Sequence, residues 1–267
     1  MPAIVTHPEL GRILIFDPTS TLTPPGQLTS VQQGSRVLIG AGTAHDLLAL
    51  PFPDPAQNGL VRHMEAKLDG AGTITAVVTE HAAGSVAAGQ RSEYRESTPA
   101  QYSRIIEGWI SRGARAARVS RVEPKDLMAE DGAFELRVEF SAQNYAQSMG
   151  GQLLVFKPAV VPRRVHTALN DARRVTPVLL EPNAYEETIA ITLPENFAVD
   201  ELPPPVEISR SFGAYALAGE LREGALHFRR SYVVHAAEIP PERYDEVRSF
   251  FDGINRAEQT PVVLKRK

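Results

Sequence analysis

The stretch FELRVEF, residues 134–140, decides the fold class of this 267-residue chain. Apolar side chains occupy every second position from Phe134 to Phe140, and they alternate with glutamate and arginine. A strand of this period buries one face and leaves the other in water, which is typical of an antiparallel sheet. The sequence therefore predicts a mostly β protein.

The same alternation recurs in two predicted hairpins. Residues 64–68 and 73–81 surround the turn 69–72, and residues 215–221 and 225–234 surround the turn 222–224. Weaker patterns predict further strands at 84–96, 152–157, 176–181, 189–193 and 260–264. Many short strands with regular turn signals indicate an antiparallel β-sandwich.

Two helices are predicted to pack on this sandwich, at about 99–112 and 241–256. The first begins with the potential cap Thr98 and with Pro99, and its apolar stripe carries Trp109, the only tryptophan. We interpret Trp109 as a core residue rather than a ligand-stacking one, because an indole ring buries a large apolar area. The second helix follows Pro240 and Pro241 and has its own apolar stripe.

The composition excludes several classes of protein. The chain has no cysteine, so it can have neither a disulfide nor a thiolate metal site nor a cysteine nucleophile. Its formal charge of −4 argues against a nucleic-acid partner, and no apolar stretch is long enough for a membrane span. No P-loop, HExxH or GxSxG motif occurs, and we predict no cofactor and no metal.

Several residue groups are weaker candidates for a site. His63 and His81 are predicted to face each other across the first hairpin, and His227 and His235 to share a strand face. We interpret them as surface histidines, since a metal site needs three or four ligands. A hydrolase with an unrecognised carboxylate or histidine site remains an alternative if three of the four converge.

Two further groups have simple interpretations. The basic cluster around Arg163, Arg164, His166, Arg173 and Arg174 is interpreted as a solvated connection rather than an anion site. The loop 40–45 begins like a dinucleotide-binding loop, but its sixth position is histidine and no βαβ unit surrounds it. A carbohydrate- or peptide-binding β-sandwich remains a second alternative. The aromatic residues that could stack on such a ligand are four tyrosines: Tyr145, Tyr185, Tyr215 and Tyr232.

Residues 11–19, GRILIFDPT, with Gly26-Gln27-Leu28 and Gln33-Gly34, resemble the end of a bacterial transglutaminase-like domain. In that papain-like family an aspartate before Pro-Thr orients the histidine of a Cys-His-Asp triad, which places Asp17 at the triad-Asp position. This chain lacks the cysteine, so its triad is incomplete. Downstream motifs resemble the C-terminal β-domain of large members of this family: Arg174–Val178, Ile191–Pro194, Leu202-Pro203, Arg229-Arg230, Ile239-Pro240 with Tyr244, and Val262–Leu264.

The resemblance implies a domain organisation and a role. We expect residues 1–58 to be the remnant of a transglutaminase-like core with a proline-rich linker, and residues 59–267 to be a β-sandwich accessory domain. The chain alone is expected to be a non-catalytic accessory or interaction domain, because the activated thiolate is missing. Its expected partner is a transglutaminase-like catalytic domain or another protein, and the resemblance implies an extracytoplasmic location.

Overall fold

The computed structural model describes residues 4–7, 11–15, 17, 19, 21–23, 27–40, 47–164, 169 and 171–267. These residues form eighteen strands, three α-helices and two short 3-10 helices, Pro55–Asn58 and Pro241–Arg243. The predicted mostly β class is therefore confirmed. In the described part of the chain no helix has the length and apolar character that crossing a membrane requires.

The strands are numbered in chain order. They are β1 (Ile4–His7), β2 (Gly11–Leu14), β3 (Arg36–Leu38), β4 (Leu47–Ala49), β5 (Gly59–Leu68), β6 (Ile74–Ala82), β7 (Arg118–Lys125), β8 (Phe134–Ala142), β9 (Gln147–Met149), β10 (Leu153–Phe156), β11 (Val178–Leu180), β12 (Asn183–Thr192), β13 (Phe197–Glu201), β14 (Val206–Arg210), β15 (Gly213–Arg222), β16 (Ala225–Val234), β17 (Ala237–Ile239) and β18 (Val262–Arg266). The helices are α1 (Gly84–Arg95), α2 (Pro99–Ile110) and α3 (Tyr244–Gln259).

An eight-stranded sheet dominates the fold, in the order β14-β15-β16-β12-β5-β6-β8-β7. Its neighbouring strands are antiparallel except β5 and β12, which run parallel and bring Glu187 opposite Arg62. A parallel pair cannot be joined by a hairpin, so the chain makes a long crossover between these two strands. A four-stranded sheet has the order β13-β18-β10-β9, and three small sheets pair β1 with β2, β3 with β4, and β11 with β17.

The predicted hairpins and the FELRVEF strand are confirmed. In β8 the residues from Phe134 to Phe140 alternate between buried and half-buried positions, as their period requires. The β5–β6 hairpin closes through a turn in which Gly72 has φ +86°, a left-handed conformation that favours glycine. A Cβ atom on Gly72 would lie 2.2 Å from the carbonyl oxygen of Ala146, so this turn has no room for a side chain.

Both predicted helices are confirmed as α2 and α3. Helix α2 begins at a capping box formed by Thr98 and Gln101, and Trp109 lies on its buried face. Helix α3 follows the 3-10 turn Pro241–Arg243 and carries the buried pair Phe250 and Phe251. Each helix therefore covers the core with its predicted apolar stripe, except that Ile105 of α2 is 50% exposed.

The predicted strand at 84–96 is wrong, because this segment is helix α1. Its buried residues Ala87, Gln90, Arg91 and Tyr94 recur with helical spacing rather than with period two. The side chain of Asn58 accepts a hydrogen bond from the Ser85 amide at 2.7 Å, which satisfies a free donor at the helix start. This partner lies outside the segment, so the local sequence does not reveal it.

One large hydrophobic cluster joins the eight-stranded sheet, the four-stranded sheet and the helices. It includes inward-facing residues of β5, β6 and β8 together with Leu154, Val262 and Phe250. A separate small cluster around Val5, Leu28 and Leu50 holds the N-terminal strands. The buried face of the eight-stranded sheet is called the inner face below, and the opposite face is called the outer face.

Candidate functional site

Four charged side chains on the inner face form a row across adjacent strands. Glu80 on β6 lies opposite Arg62 on β5, which lies opposite Glu187 on β12, which lies opposite Arg230 on β16. Their side chains are at most 2% exposed, and their charges alternate along the row. Arg62 contacts Glu80 at 2.6 Å and Glu187 at 3.0 Å, and Glu187 also pairs with Arg230. We call these four residues the charged row.

The segment 160–164 covers the charged row and adds further ion pairs. Arg164 contacts Glu80 at 2.7 Å, and Arg163 contacts Glu258 of α3 at 2.9 Å. Glu258 also pairs with Arg230 at 3.0 Å. Each buried carboxylate thus lies between two guanidinium groups, which is the arrangement that offsets the cost of burying the charges.

The predicted basic cluster divides into two parts. Arg163 is only 7% exposed and Arg164 is partly buried beside Trp109, so these two do not belong to a solvated connection. Arg174 lies 4.0 Å from Asp171, whose side chain is 70% exposed. His166 lies outside the described residues. The solvated interpretation is wrong for Arg163 and Arg164, because ion pairs from β6 and α3 hold them in the interior.

The charged row is a fixed ionic structure. Burial alone would raise the pKa of the Glu80 carboxyl. The positive charges of Arg164 and Arg62 outweigh this effect, so the pKa of Glu80 lies below its ordinary value of 4.5. Burial also raises the pKa of Tyr185, whose hydroxyl accepts hydrogen bonds from Arg62 at 2.8 Å and Arg230 at 3.2 Å. At neutral pH Glu80 is therefore ionised and Tyr185 is neutral, so neither of them is poised to exchange a proton.

The outer face lies open and contains a shallow pocket of about 490 Å³. Strands β5, β12, β15 and β16 line it, and its polar side chains are His63, Glu65, Thr188, Glu220, His227 and Arg229. His63 forms a 2.6 Å hydrogen bond with the hydroxyl of Thr188 through its Nδ1 atom. We call this concavity the outer pocket. A second concavity of about 390 Å³ adjoins it and shares Glu65.

The predicted histidine pair is present but diagonal. The rings of His63 and His81 are 6.4 Å apart on the outer face, and His81 lies 3.6 Å from Glu135. His63 and His227 share the outer pocket, whereas His235 follows the end of β16. Within the described ranges no three histidine, aspartate or glutamate side chains converge in a way that could hold a metal ion.

The four tyrosines predicted as candidates for ligand stacking do not form an exposed row. Tyr185, Tyr215 and Tyr232 are at most 5% exposed and belong to the core. Tyr145 donates a hydrogen bond through its hydroxyl to the carbonyl of Lys157. The outer face therefore lacks a tyrosine platform on which a sugar ring could stack.

Asp17 contacts two other residues of the N-terminal region, Thr19 and Gln32. Its carboxylate accepts hydrogen bonds from the Thr19 amide at 2.9 Å, the Thr19 hydroxyl at 2.6 Å and the Gln32 side chain at 2.5 Å. The hydrogen bonds from Thr19 keep the pKa of Asp17 below its ordinary value. These contacts hold the Asp17 carboxylate against Thr19 and Gln32, and the role of Asp17 in orienting a histidine stays a prediction.

The charged row was not predicted from the sequence, although charged residues at core-facing positions of alternating strands indicate it. In an alternating strand Arg62 lies on the same face as Met64 and Leu68, and Glu187 lies on the same face as Ile189. A charge at a core-facing position of an alternating strand indicates a buried partner. The partners themselves come from distant strands, so the sequence does not identify them.

Comparisons with known proteins give limited matches. Residues 152–264, less than half of the chain, match the DUF3858 family, described as a domain of unknown function with a solved structure. A crystal structure from Parabacteroides distasonis, provisionally described as that of a protease, aligns with 46% of this chain at 15% identity and a TM-score of 0.36. The aligned part spans 24% of that protein. No curated protein sequence matches the chain.

Proposed function

We propose that this chain is a non-catalytic accessory domain of a transglutaminase-like protein, and that it binds a protein partner on its outer face. One observation carries the proposal. The buried acids Glu80 and Glu187 and the partly buried Glu258 of α3 are all paired with arginines on the inner face, whereas the outer face of the sheet is open and concave. The chain thus uses its interior charges for structure and leaves a surface free for binding.

The chemistry of the described residues supports a non-catalytic role. A covalent acyl transfer by this type of triad needs an activated thiolate, and the sequence has no cysteine. Asp17 can orient an imidazole but cannot itself attack a carbonyl. The ion-paired glutamates of the inner face are shielded from a substrate by the segment 160–164.

The shape and charge of the outer face support a binding role. Strand spacings of about 4.8 Å make an eight-stranded sheet roughly 34 Å wide, which is enough for a protein contact of ordinary size. The DUF3858 match covers β10–β18 and so includes part of this face. The expected partner is a transglutaminase-like catalytic domain, and an extracytoplasmic location is part of the same proposal.

The test of the non-catalytic role measures turnover of amide and peptide substrates by the purified chain. We expect no turnover above a buffer control, and no difference between the unmodified chain and Asp17→Ala. Asp54→Ala is the matched control, because Asp54 also caps a local turn through its carboxylate. Turnover that Asp17→Ala abolishes and Asp54→Ala retains would overturn the proposal.

A further inference from the structure

The outer pocket has a carboxylate at each end. Glu220 on β15 lies opposite His227 on β16, which lies opposite Ala190 on β12, which lies opposite Glu65 on β5. These residues form one cross-strand row with three strand-to-strand steps, so the two glutamates are about 14 Å apart at the backbone. Ala190 contributes only a methyl group, so the floor between the His227 ring and Glu65 is open.

The two carboxylates lack a cation partner in the described part of the chain. Arg229, which also lines the pocket, lies 3.6 Å from Glu186 and is partly neutralised by it. In contrast, the outer-face acids of β7 and β8 contact cations: Glu123, Glu135 and Glu139. Lys67 and Arg222 lie one row further along their strands and do not line the pocket. The pocket thus has an excess of negative charge.

The spacing of the carboxylates selects an extended ligand. Residues i and i+4 of an extended peptide lie on the same side and about 14 Å apart, since each residue advances about 3.4 Å. Two basic side chains at this spacing reach Glu65 and Glu220 together, and the small residue Ala190 leaves space for the peptide between them. A helix would need about nine residues for the same span and would present a wider body to the pocket.

We propose that the outer pocket binds an extended peptide segment with two basic residues four positions apart. The inference rests on the proposed binding role of the outer face and specifies its partner. Glu65 and Glu220 each receive one lysine or arginine side chain, and the His227 ring faces the residue between them. Charge and spacing together, rather than charge alone, define the recognised segment.

The experiment is an NMR titration of the isotope-labelled full chain with two lysine peptides of equal composition, at low salt. One peptide contains Lys-Ser-Ala-Ser-Lys and the other has the two lysines adjacent. We expect the spaced peptide to bind about 1.4-fold to fivefold more tightly, since one exposed ion pair contributes about 0.2–1 kcal/mol. The largest shifts should fall on residues of β5, β12, β15 and β16.

Matched variants separate the pocket from general charge attraction. The double variant Glu65→Gln, Glu220→Gln removes two exposed ion pairs, so it should weaken binding of the spaced peptide by about twofold to thirtyfold. It should also remove the preference for spacing. Glu207→Gln is the control, because Glu207 is an outer-face acid opposite Ala216 that does not line the pocket. Ala190→Trp fills the floor without altering the charge and should also weaken binding of the spaced peptide.

Three outcomes overturn the inference. They are equal affinity for spaced and adjacent lysines, equal weakening by Glu207→Gln, and tighter binding of a peptide with glutamates in place of lysines. Absence of peptide binding in a chain without turnover refutes the basic-peptide ligand and leaves the non-catalytic role intact. Turnover that depends on Asp17 refutes the proposed function whatever the peptide does.

Discussion

Replacing Glu187 by glutamine removes one negative charge from the centre of the charged row and retains the shape of the side chain. The carboxylate of Glu187 accepts from Arg62 through one oxygen, at 3.0 Å, and from Arg230 through the other. The glutamine amide keeps one oxygen acceptor, but its NH₂ group replaces the other oxygen. Two hydrogen-bond donors, this NH₂ group and a guanidinium group, then face each other. One arginine therefore loses its hydrogen bond and both lose an opposite charge.

The expected cost follows from the burial of these groups. Breaking a buried ion pair by removing one partner costs about 3–5 kcal/mol. Arg62 keeps Glu80 and Arg230 keeps Glu258, so the lower end of this range, about 3 kcal/mol, applies. Glu186→Gln is the matched control: its neighbouring pair with Arg229 is 3.6 Å long and largely exposed, and we expect a loss below about 1 kcal/mol.

Urea denaturation followed by tryptophan fluorescence measures the difference. Trp109 is the only tryptophan, and the guanidinium carbon of Arg62 lies 5.0 Å from its ring, so it reports on the same region. With a slope of about 3 kcal/mol per molar urea, the midpoint of Glu187→Gln should fall by about 1 M. A loss no larger than that of Glu186→Gln would show that the charged row is not a stabilising unit.

Three further predictions concern the turn, the helix cap and pH. Gly72→Ala should lower the free energy of unfolding by about 1–3 kcal/mol, because of its positive φ and the nearby Ala146 carbonyl, while Gly70→Ala should stay within about 0.5 kcal/mol in the same denaturation assay. Thr98→Ala should cost about 1 kcal/mol through loss of the capping box of α2, measured by thermal unfolding. The lowered pKa of Glu80 means that its stabilisation is complete above about pH 4.5 and is lost as the pH falls through that lowered pKa, so Glu80→Gln should flatten the acid limb of stability measured against pH.

Local patterns predicted much of the secondary structure. The FELRVEF alternation predicted β8, and the turn signals at 69–72 and 222–224 predicted the two hairpins, because each pattern and its turn are neighbours in sequence. The cap Thr98 and the apolar stripe predicted α2 for the same reason. Helix α1 was missed because its alanines and glycines weaken any period, and its N-terminal partner Asn58 lies on another element.

The sequence predicted the candidate sites less well than the secondary structure. His63 and His81 were predicted to face each other across the hairpin, whereas the register makes them diagonal neighbours. The position of His227 in the same pocket as His63 depends on the pairing of β12 with β5 and β16. Arg163 and Arg164 were placed in solvent because their carboxylate partners lie more than eighty residues away in the chain. The predicted domain boundary near residue 58 stays a prediction.

The sequence alone is enough to establish the strand period, the hairpin turns, two helices and the absence of a cysteine nucleophile, since each is local or compositional. Which charges are buried together and which remain unpaired depends instead on the pairing of distant strands. The period-two pattern of β5 shows that Arg62 lies on the same face as Met64 and that Glu65 lies on the opposite face. It does not show which residues of the neighbouring strands lie beside them. The parallel pairing of β5 with β12 decides both sides at once: it sets Arg62 against Glu187 inside and aligns Glu65 with Ala190 outside. Register between distant strands is a long-range property, and it made one face a fixed ionic core and the other an open surface.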